Sequence, residues 1–257
     1  MNAFAFSPPP TVAVPIVGTD KQFPVRRVYC VGRNYEEHAK EMGFTGREPP
    51  FFFFKPADAV VVVPAGQTGH IAYPSLTQNL HHEIELVVAI GKGGKNIPAE
   101  RADEHIYGLT VMNDWSARAL QMQEMQMSLG PAKGKDFATS LGPCLVSKEA
   151  LKDRIITTPH GNQYDLPMTA SINGETVSRG NVKDMHWTFA QIIERISYGV
   201  EIHPGEVIGS GTCGTGCLLE LNGSKVFTPP RWLQVGDEVE CAIEGIGTLK
   251  NRIKLAE

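Results

Sequence analysis

The chain has 257 residues, enough to bury a proper core as one large domain or as one domain with a small lobe. Its net charge of −4 and pI near 6.1 leave no electrostatic footprint for nucleic acid or an anionic membrane surface. No apolar run approaches the ~20 residues that a membrane-spanning helix needs.

Hydrophobic content of 42% and charged content of 20% are those of an ordinary globular protein. The first fifteen residues lack a basic stretch followed by a long apolar one, so no secretory signal is expected. Five cysteines, odd in number and without a Cys-x-x-Cys pair, fit a reduced, cytoplasmic protein.

Residues 1–24 carry too many prolines for a helix but suit edge strands such as 11–17. A short β-rich run over 25–31 ends at Gly32, and residues 35–42 have helical composition with Gly43 as a stop. On that helix His38 and Glu41 stand three apart and share a face. A carboxylate beside an imidazole raises its basicity, which prepares a general base, although the same pair also serves as plain surface decoration. The charged, glycine-bracketed stretch 35–47 has few apolar anchors and is expected to act as a lid that orders when substrate binds.

Four consecutive phenylalanines, 51–54, predict a strand buried on both faces, with Lys55 at its end either reaching a site or, the preferred reading, solvated. Another strand is expected over 58–64. The Gly/Pro/Ser/Thr-rich connection over 65–77 is the plausible internal boundary, dividing a small N-terminal part (1–70) from the main part (71–257). There is no internal repeat and no low-complexity tract.

The stretch from His81 to Arg118 holds the strongest chemical signal. It begins His81-His82-Glu83-Ile84-Glu85 and runs on into an apolar segment to Ile90. In a strand, residues two apart point to one face, so Glu83 and Glu85 aim two carboxylates at one spot. A second β-prone run, 109–113, ends on Asp114, which offers a third carboxylate or, alternatively, an N-cap for a helix predicted over 115–127. Three converging carboxylates repel one another unless a cation neutralises them, and hard oxygen ligands suit Mg²⁺, Mn²⁺ or Ca²⁺. The competing reading of Glu-x-Glu is a solvated strand face. On the predicted helix Arg118 and Gln121 share the face of Asp114 and are suited to holding a substrate carboxylate or carbonyl.

Farther along, the glycine-rich segment 130–137 carries Lys133 and Lys135. A lysine near a metal-bound enolate neutralises charge or moves a proton; in a Gly/Pro loop it is otherwise unremarkable. Strands are expected over 142–146, 168–172 and 176–178, with a hairpin turn at Asn173-Gly174, and an amphipathic helix over 188–197. Residues 209–214 match Gly-x-Gly-x-x-Gly, but 216–221 read as strand and no βαβ unit surrounds them, so a dinucleotide site is rejected. The turn can still offer backbone N–H groups and the Thr212 hydroxyl to a substrate carboxylate. The tail, 235–253, reads as short strands with glycine turns.

In order and spacing, several pieces resemble the fumarylacetoacetate hydrolase superfamily: Gly32-Arg33-Asn34-Tyr35 with His38 and Glu41, Glu83-x-Glu85, the Asn113–Arg118 run, Gly134-Lys135-Asp136-Phe137, and Gly209–Thr212. The Phe-rich segment ending Lys55-Pro56 is similar to the small acylpyruvate and fumarylpyruvate hydrolases. The resemblance implies an α+β fold, a mixed β-sheet roll or sandwich with few peripheral helices. It implies Mg²⁺ or Mn²⁺ on Glu83, Glu85 and Asp114, and a homodimer with no nucleic-acid or membrane partner. It also implies a His38–Glu41 pair that activates water, Lys135 near the reacting enolate, and substrate contacts from Arg33, Tyr35, Arg118, Gln121 and Thr212. The implied reaction is hydrolysis of a C–C bond in a β-diketo acid. Oxaloacetate decarboxylation or keto–enol isomerisation is the alternative, and a non-catalytic binding relative would lack a ligand or base.

Overall fold

The apolar run after Glu83 forms the strand around which the sheet is built. The computed structural model describes residues 4–35, 48–128 and 130–256. In chain order the strands of the two main sheets begin with Val28–Gly32 (β1), Phe51–Lys55 (β2), Val60–Val62 (β3) and Gly69–Ala72 (β4). Ile84–Ile90 (β5), Ile106–Asn113 (β6) and Thr139–Ser147 (β7) follow. Pro167–Ile172 (β8), Glu175–Asn181 (β9), Val207–Gly209 (β10), Glu238–Ile243 (β11) and Gly247–Lys254 (β12) complete the set. Among the described residues four short α-helices lie between them: Ala99–Ala102 (α1), Arg118–Met125 (α2), Phe189–Ser197 (α3) and Leu218–Gly223 (α4). Among the described residues no helix is long and apolar enough to cross a membrane.

The larger sheet has seven strands in the order β2-β1-β10-β5-β6-β7-β3, and the smaller has five in the order β9-β8-β11-β12-β4. Both are mixed: β10 runs parallel to β1 and β7 to β3, while β5, β6 and β7 are antiparallel neighbours. This is the expected α+β roll. Strands from before and after residue 70 share the seven-stranded sheet, so it runs across the composition shift at 65–77.

All seven residues of β5 are buried, because the strand has a neighbour on each side and a core on each face. Ile84, Leu86, Val88 and Ile90 enter the larger apolar cluster, while Val87 and Ala89 enter a smaller one together with Met112 and Cys30. Glu83 and Glu85 share the parity of Val87, so they continue the small cluster's face into a polar end. Helix α3 begins with a capping box in which Thr188 and Gln191 satisfy each other's backbone N–H, and it buries one apolar face as its pattern predicts. The Asn173-Gly174 hairpin is present, with both residues at positive φ and Ile172 paired to Glu175.

Three expectations are corrected. Among the described residues the phenylalanine strand β2 has one strand neighbour, β1, and Phe51 and Phe54 are 41% and 54% exposed rather than buried on both faces. The helix predicted over 115–127 is shorter, Arg118–Met125, because Ser116–Ala117 first pairs with Leu80–His81. The Ala117 and Arg118 N–H groups bond to Gly134 and Asn79 carbonyls, which holds that entry extended. Residues 218–223 are helical rather than strand, since Leu218 and Leu221, three apart, bury on one side.

Candidate active site

Pairing register brings the three acidic residues together. Met112 lies opposite Glu85 on the β5–β6 ladder, and the Asp114 N–H bonds the Glu83 carbonyl just beyond the last pair. One oxygen from each of Glu83, Glu85 and Asp114 lies within 4.8 Å of the others, and all three side chains are buried. They line a cavity of about 210 Å³ that also receives Arg33, Arg118, Gln121, Lys135 and Thr212.

The Gly-x-Gly-x-x-Gly turn serves these carboxylates. A Cβ on Gly209 would lie 2.4 Å from Glu85 Oε2, so only glycine leaves the carboxylate its place. Two residues later the Gly211 N–H donates to the same oxygen at 3.1 Å. Thr212 donates its hydroxyl to the Ile84 carbonyl at 2.9 Å, which spends its proton on the scaffold and leaves only lone pairs for a ligand. The turn is a cradle for Glu85, not a phosphate loop, and helix α4 starts only at Leu218.

Cations meet the carboxylates from three elements. Lys135 Nζ stands 2.7 Å from Glu83 Oε2 and 2.6 Å from Asp114 Oδ2, with Phe53 beneath it at 5.3 Å from the ring centroid. Arg118 bonds the other oxygen of Glu83, the Gln121 side-chain oxygen at 2.8 Å and the His81 ring at 3.4 Å. Arg118 spends three of its five N–H groups on His81, Gln121 and Glu83, and both it and Gln121 stand at the cavity wall. Asp114 does not cap a helix: the position before α2 is Ala117, and both Asp114 oxygens go to lysines.

One of these is Lys55, expected to be solvated and found 3% exposed. Its ammonium donates to Asp114 Oδ1 at 2.5 Å, to the Ala138 carbonyl at 2.6 Å and to the Trp115 carbonyl at 3.2 Å. In the structure it shares the parity of Phe53, which is half-buried over Lys135, but the phenylalanine run does not reveal that face in the sequence.

Charge regulation follows from burial. Desolvation pushes Glu85 well above the usual carboxylate range, and the charges of Asp114 and Glu83 push it further. Desolvation works against the Lys135 ammonium too, but Asp114 and Glu83 outweigh it and hold the group above its ordinary value. Desolvation lowers His82 to about 4 and takes His81 well below the ordinary imidazole value, so both rings are neutral. Glu85 has no ion-pair partner among the described residues and is the carboxylate that gains most from a cation. Three buried hard-oxygen donors, one from each carboxylate and all within 4.8 Å of one another, suit a hard divalent cation, which they would hold between them. The residues present thus fit Mg²⁺ or Mn²⁺.

Of the other predicted positions, Arg33 lies at the cavity mouth at φ 59°, its guanidinium 5.9 Å from the Phe51 ring centroid. Tyr35 is buried in the main core and is not among the cavity-lining residues. His38 and Glu41, and the lid expected over 35–47 apart from Tyr35, lie outside the described residues.

Comparison with known proteins identifies the family. The family model for the C-terminal domain of fumarylacetoacetate hydrolase matches residues 27–254. The fumarylpyruvate hydrolase of Pseudomonas aeruginosa, whose crystal structure contains Mn²⁺ and pyruvate, is 40% identical with a TM-score of 0.85, over 99% of this chain and 100% of that one. The oxaloacetate tautomerase YisK of Bacillus subtilis is 34% identical over 90% of this chain and 70% of its own length. The human mitochondrial oxaloacetate tautomerase FAHD2A is 35% identical over 95% of this chain and 69% of its own length.

Proposed function

Since the chain belongs to the fumarylacetoacetate hydrolase family, we propose that it hydrolyses a C–C bond in a β-diketo acid of the acylpyruvate or fumarylpyruvate kind. The observation that carries this reading is the buried carboxylate triad with Lys135 between two of its members, at the wall of a cavity sized for a small acid. The end-to-end likeness to a fumarylpyruvate hydrolase supports it.

Glu83, Glu85 and Asp114 are the residues that would hold Mg²⁺ or Mn²⁺, which when bound supplies Lewis acidity to a 2-oxo acid head. The chain's own side chains do the rest. Lys135 places a positive charge where an enolate leaving group develops negative charge. Gln121, fixed by Arg118, presents its amide N–H₂ as a donor. His38 with Glu41 takes the role of base, removing a proton from water as its oxygen adds to the distal carbonyl. The C–C bond then breaks, the acyl half leaves as a carboxylic acid, and the other half takes up a proton to become pyruvate. The burial of Lys135 and the carboxylates strengthens each of these interactions relative to water.

Oxaloacetate keto–enol isomerisation is the second reading, favoured by the curated relatives of that name. It uses the same cation site and Lys135 but no hydrolytic water. A time course on fumarylpyruvate and short acylpyruvates with Mg²⁺ or Mn²⁺, with and without chelator, separates the two. Metal-dependent release of pyruvate supports hydrolysis. Interconversion of oxaloacetate tautomers with no C–C cleavage of any diketo acid supports the second reading.

A further inference from the structure

Lys135 reaches the carboxylates from a loop that one side chain, Glu124, grips through three successive backbone N–H groups. Residues 132–137 form a bend followed by a run of turns, and three consecutive N–H groups, of Ala132, Lys133 and Gly134, point at one acceptor, the carboxylate of Glu124 on helix α2. Ala132 N–H donates to Glu124 Oε2 at 3.1 Å, Lys133 N–H to Oε1 at 2.5 Å and Gly134 N–H to Oε2 at 2.9 Å. Such successive N–H groups make a concave anion site of the kind that usually binds a free anion; here the chain fills it from within. Burial raises the Glu124 carboxyl, but the three N–H groups and Lys133 more than offset this and keep it below the ordinary value.

The loop is fixed on its other side as well. The Gly134 carbonyl accepts from the Ala117 N–H at 2.8 Å, and a Cβ on Gly134 would lie 2.8 Å from the Gln121 backbone nitrogen. The loop backbone is thus pressed flat on the helix that carries Arg118 and Gln121. With Lys135 one residue beyond the last of the three N–H groups, the lateral position of its Cα is set by this clamp. We propose that Glu124 is a positioning residue that locks the Lys135 loop to α2, so that the ammonium and the Arg118–Gln121 pair approach the substrate as one rigid unit. The proposal rests on the role given to Lys135 above.

Glu124→Ala removes the acceptor without touching any group in the cavity. Displacing a reacting group by ~1 Å costs on the order of 10²-fold in rate, so a fall in kcat of about 10–100-fold is expected, with KM changed less than about threefold. Hydrogen exchange at the Ala132, Lys133 and Gly134 amides reads the clamp without activity, and these amides should exchange much faster in the variant. The deciding measurement is a double-mutant cycle: in a Lys135→Ala background the Glu124→Ala change should have little further effect on kcat. Should Glu124→Ala fail to fold, Glu124→Gln, which keeps one side-chain oxygen as acceptor, carries the same cycle with a smaller loss. Faster amide exchange with unchanged kcat overturns the proposal, as does an equal loss of kcat in both backgrounds. If the wild type isomerises oxaloacetate and cleaves nothing, the hydrolase reading has failed. The cycle is then run on isomerisation, which also uses Lys135.

Discussion

Replacing Lys55 with methionine removes a cation from the interior while keeping most of its volume. The side chains of Lys55 and Asp114 are 0% and 1% exposed, so neither is relieved by water when the other is lost. Three acceptors lose their donor: Asp114 Oδ1 and the carbonyls of Trp115 and Ala138. An orphaned buried acceptor costs about 1–3 kcal/mol, and breaking one side of a buried ion pair costs about 3–5 kcal/mol. These are not additive, because Lys135 still holds Asp114 Oδ2 and the methionine side chain packs, so a net loss of about 3–5 kcal/mol is expected. At an m-value of about 2–3 kcal/mol/M the urea midpoint should fall by roughly 1–2.5 M with m unchanged. The assay is equilibrium unfolding in the presence of chelator, so that no added cation replaces the lost charge. In the Lys55→Met background, Asp114→Asn should then cost little or restore stability, because it removes the uncompensated charge. A loss below about 1 kcal/mol for Lys55→Met would refute the claim that this ion pair is buried and coupled.

Glu85→Gln should leave metal-free protein as stable as wild type or more so, because burial and the Asp114 and Glu83 charges oppose its ionised form. The same change should weaken Mn²⁺ binding sharply in a calorimetric titration, and unchanged affinity would remove Glu85 from the ligand set. Thr188→Ala breaks the capping box of α3 and should cost about 0.5–2 kcal/mol in thermal or urea unfolding, whereas a silent change would contradict the box. Burial pushes the Cys213 thiol up to about 12 and also raises Cys30 and Cys241, so a thiol reagent at pH 8 should leave these three unmodified for as long as the protein stays folded. All five cysteines should react on unfolding, and rapid labelling of Cys30 or Cys241 in native protein would contradict their burial.

The carboxylate triad was legible because it rests on parity alone. Glu83 and Glu85 alternate on one strand, and Asp114 ends the strand that pairs with it. Helix α3 and the Asn173-Gly174 hairpin were legible for similar local reasons, a 3.6-residue period and a turn that needs positive φ. What stayed hidden depended on neighbours distant in sequence. That Lys55 is interior follows from its alternation with Phe53, but an edge strand of phenylalanines looks apolar on both faces, and nothing local says which face meets Asp114. Gly209 gave the appearance of a nucleotide fingerprint, whereas its reason is the Glu85 carboxylate occupying the space of a Cβ, from a strand more than a hundred residues earlier. Arg118 and Gln121 share a helix face as the spacing requires, yet their mutual bond and the grip of Arg118 on Glu83 appear only once β5 and α2 are packed together.

In the proposed reaction water splits a diketo acid at this site. Turnover of fumarylpyruvate or a short acylpyruvate in H₂¹⁸O with Mn²⁺, followed by mass spectrometry of both products, tests it directly. One ¹⁸O atom should enter the carboxylate of the released acid for each pyruvate formed, and Glu85→Gln and chelator should each suppress the labelled product. Conversion of oxaloacetate between its keto and enol forms, with no labelled acid from any diketo substrate, would contradict it.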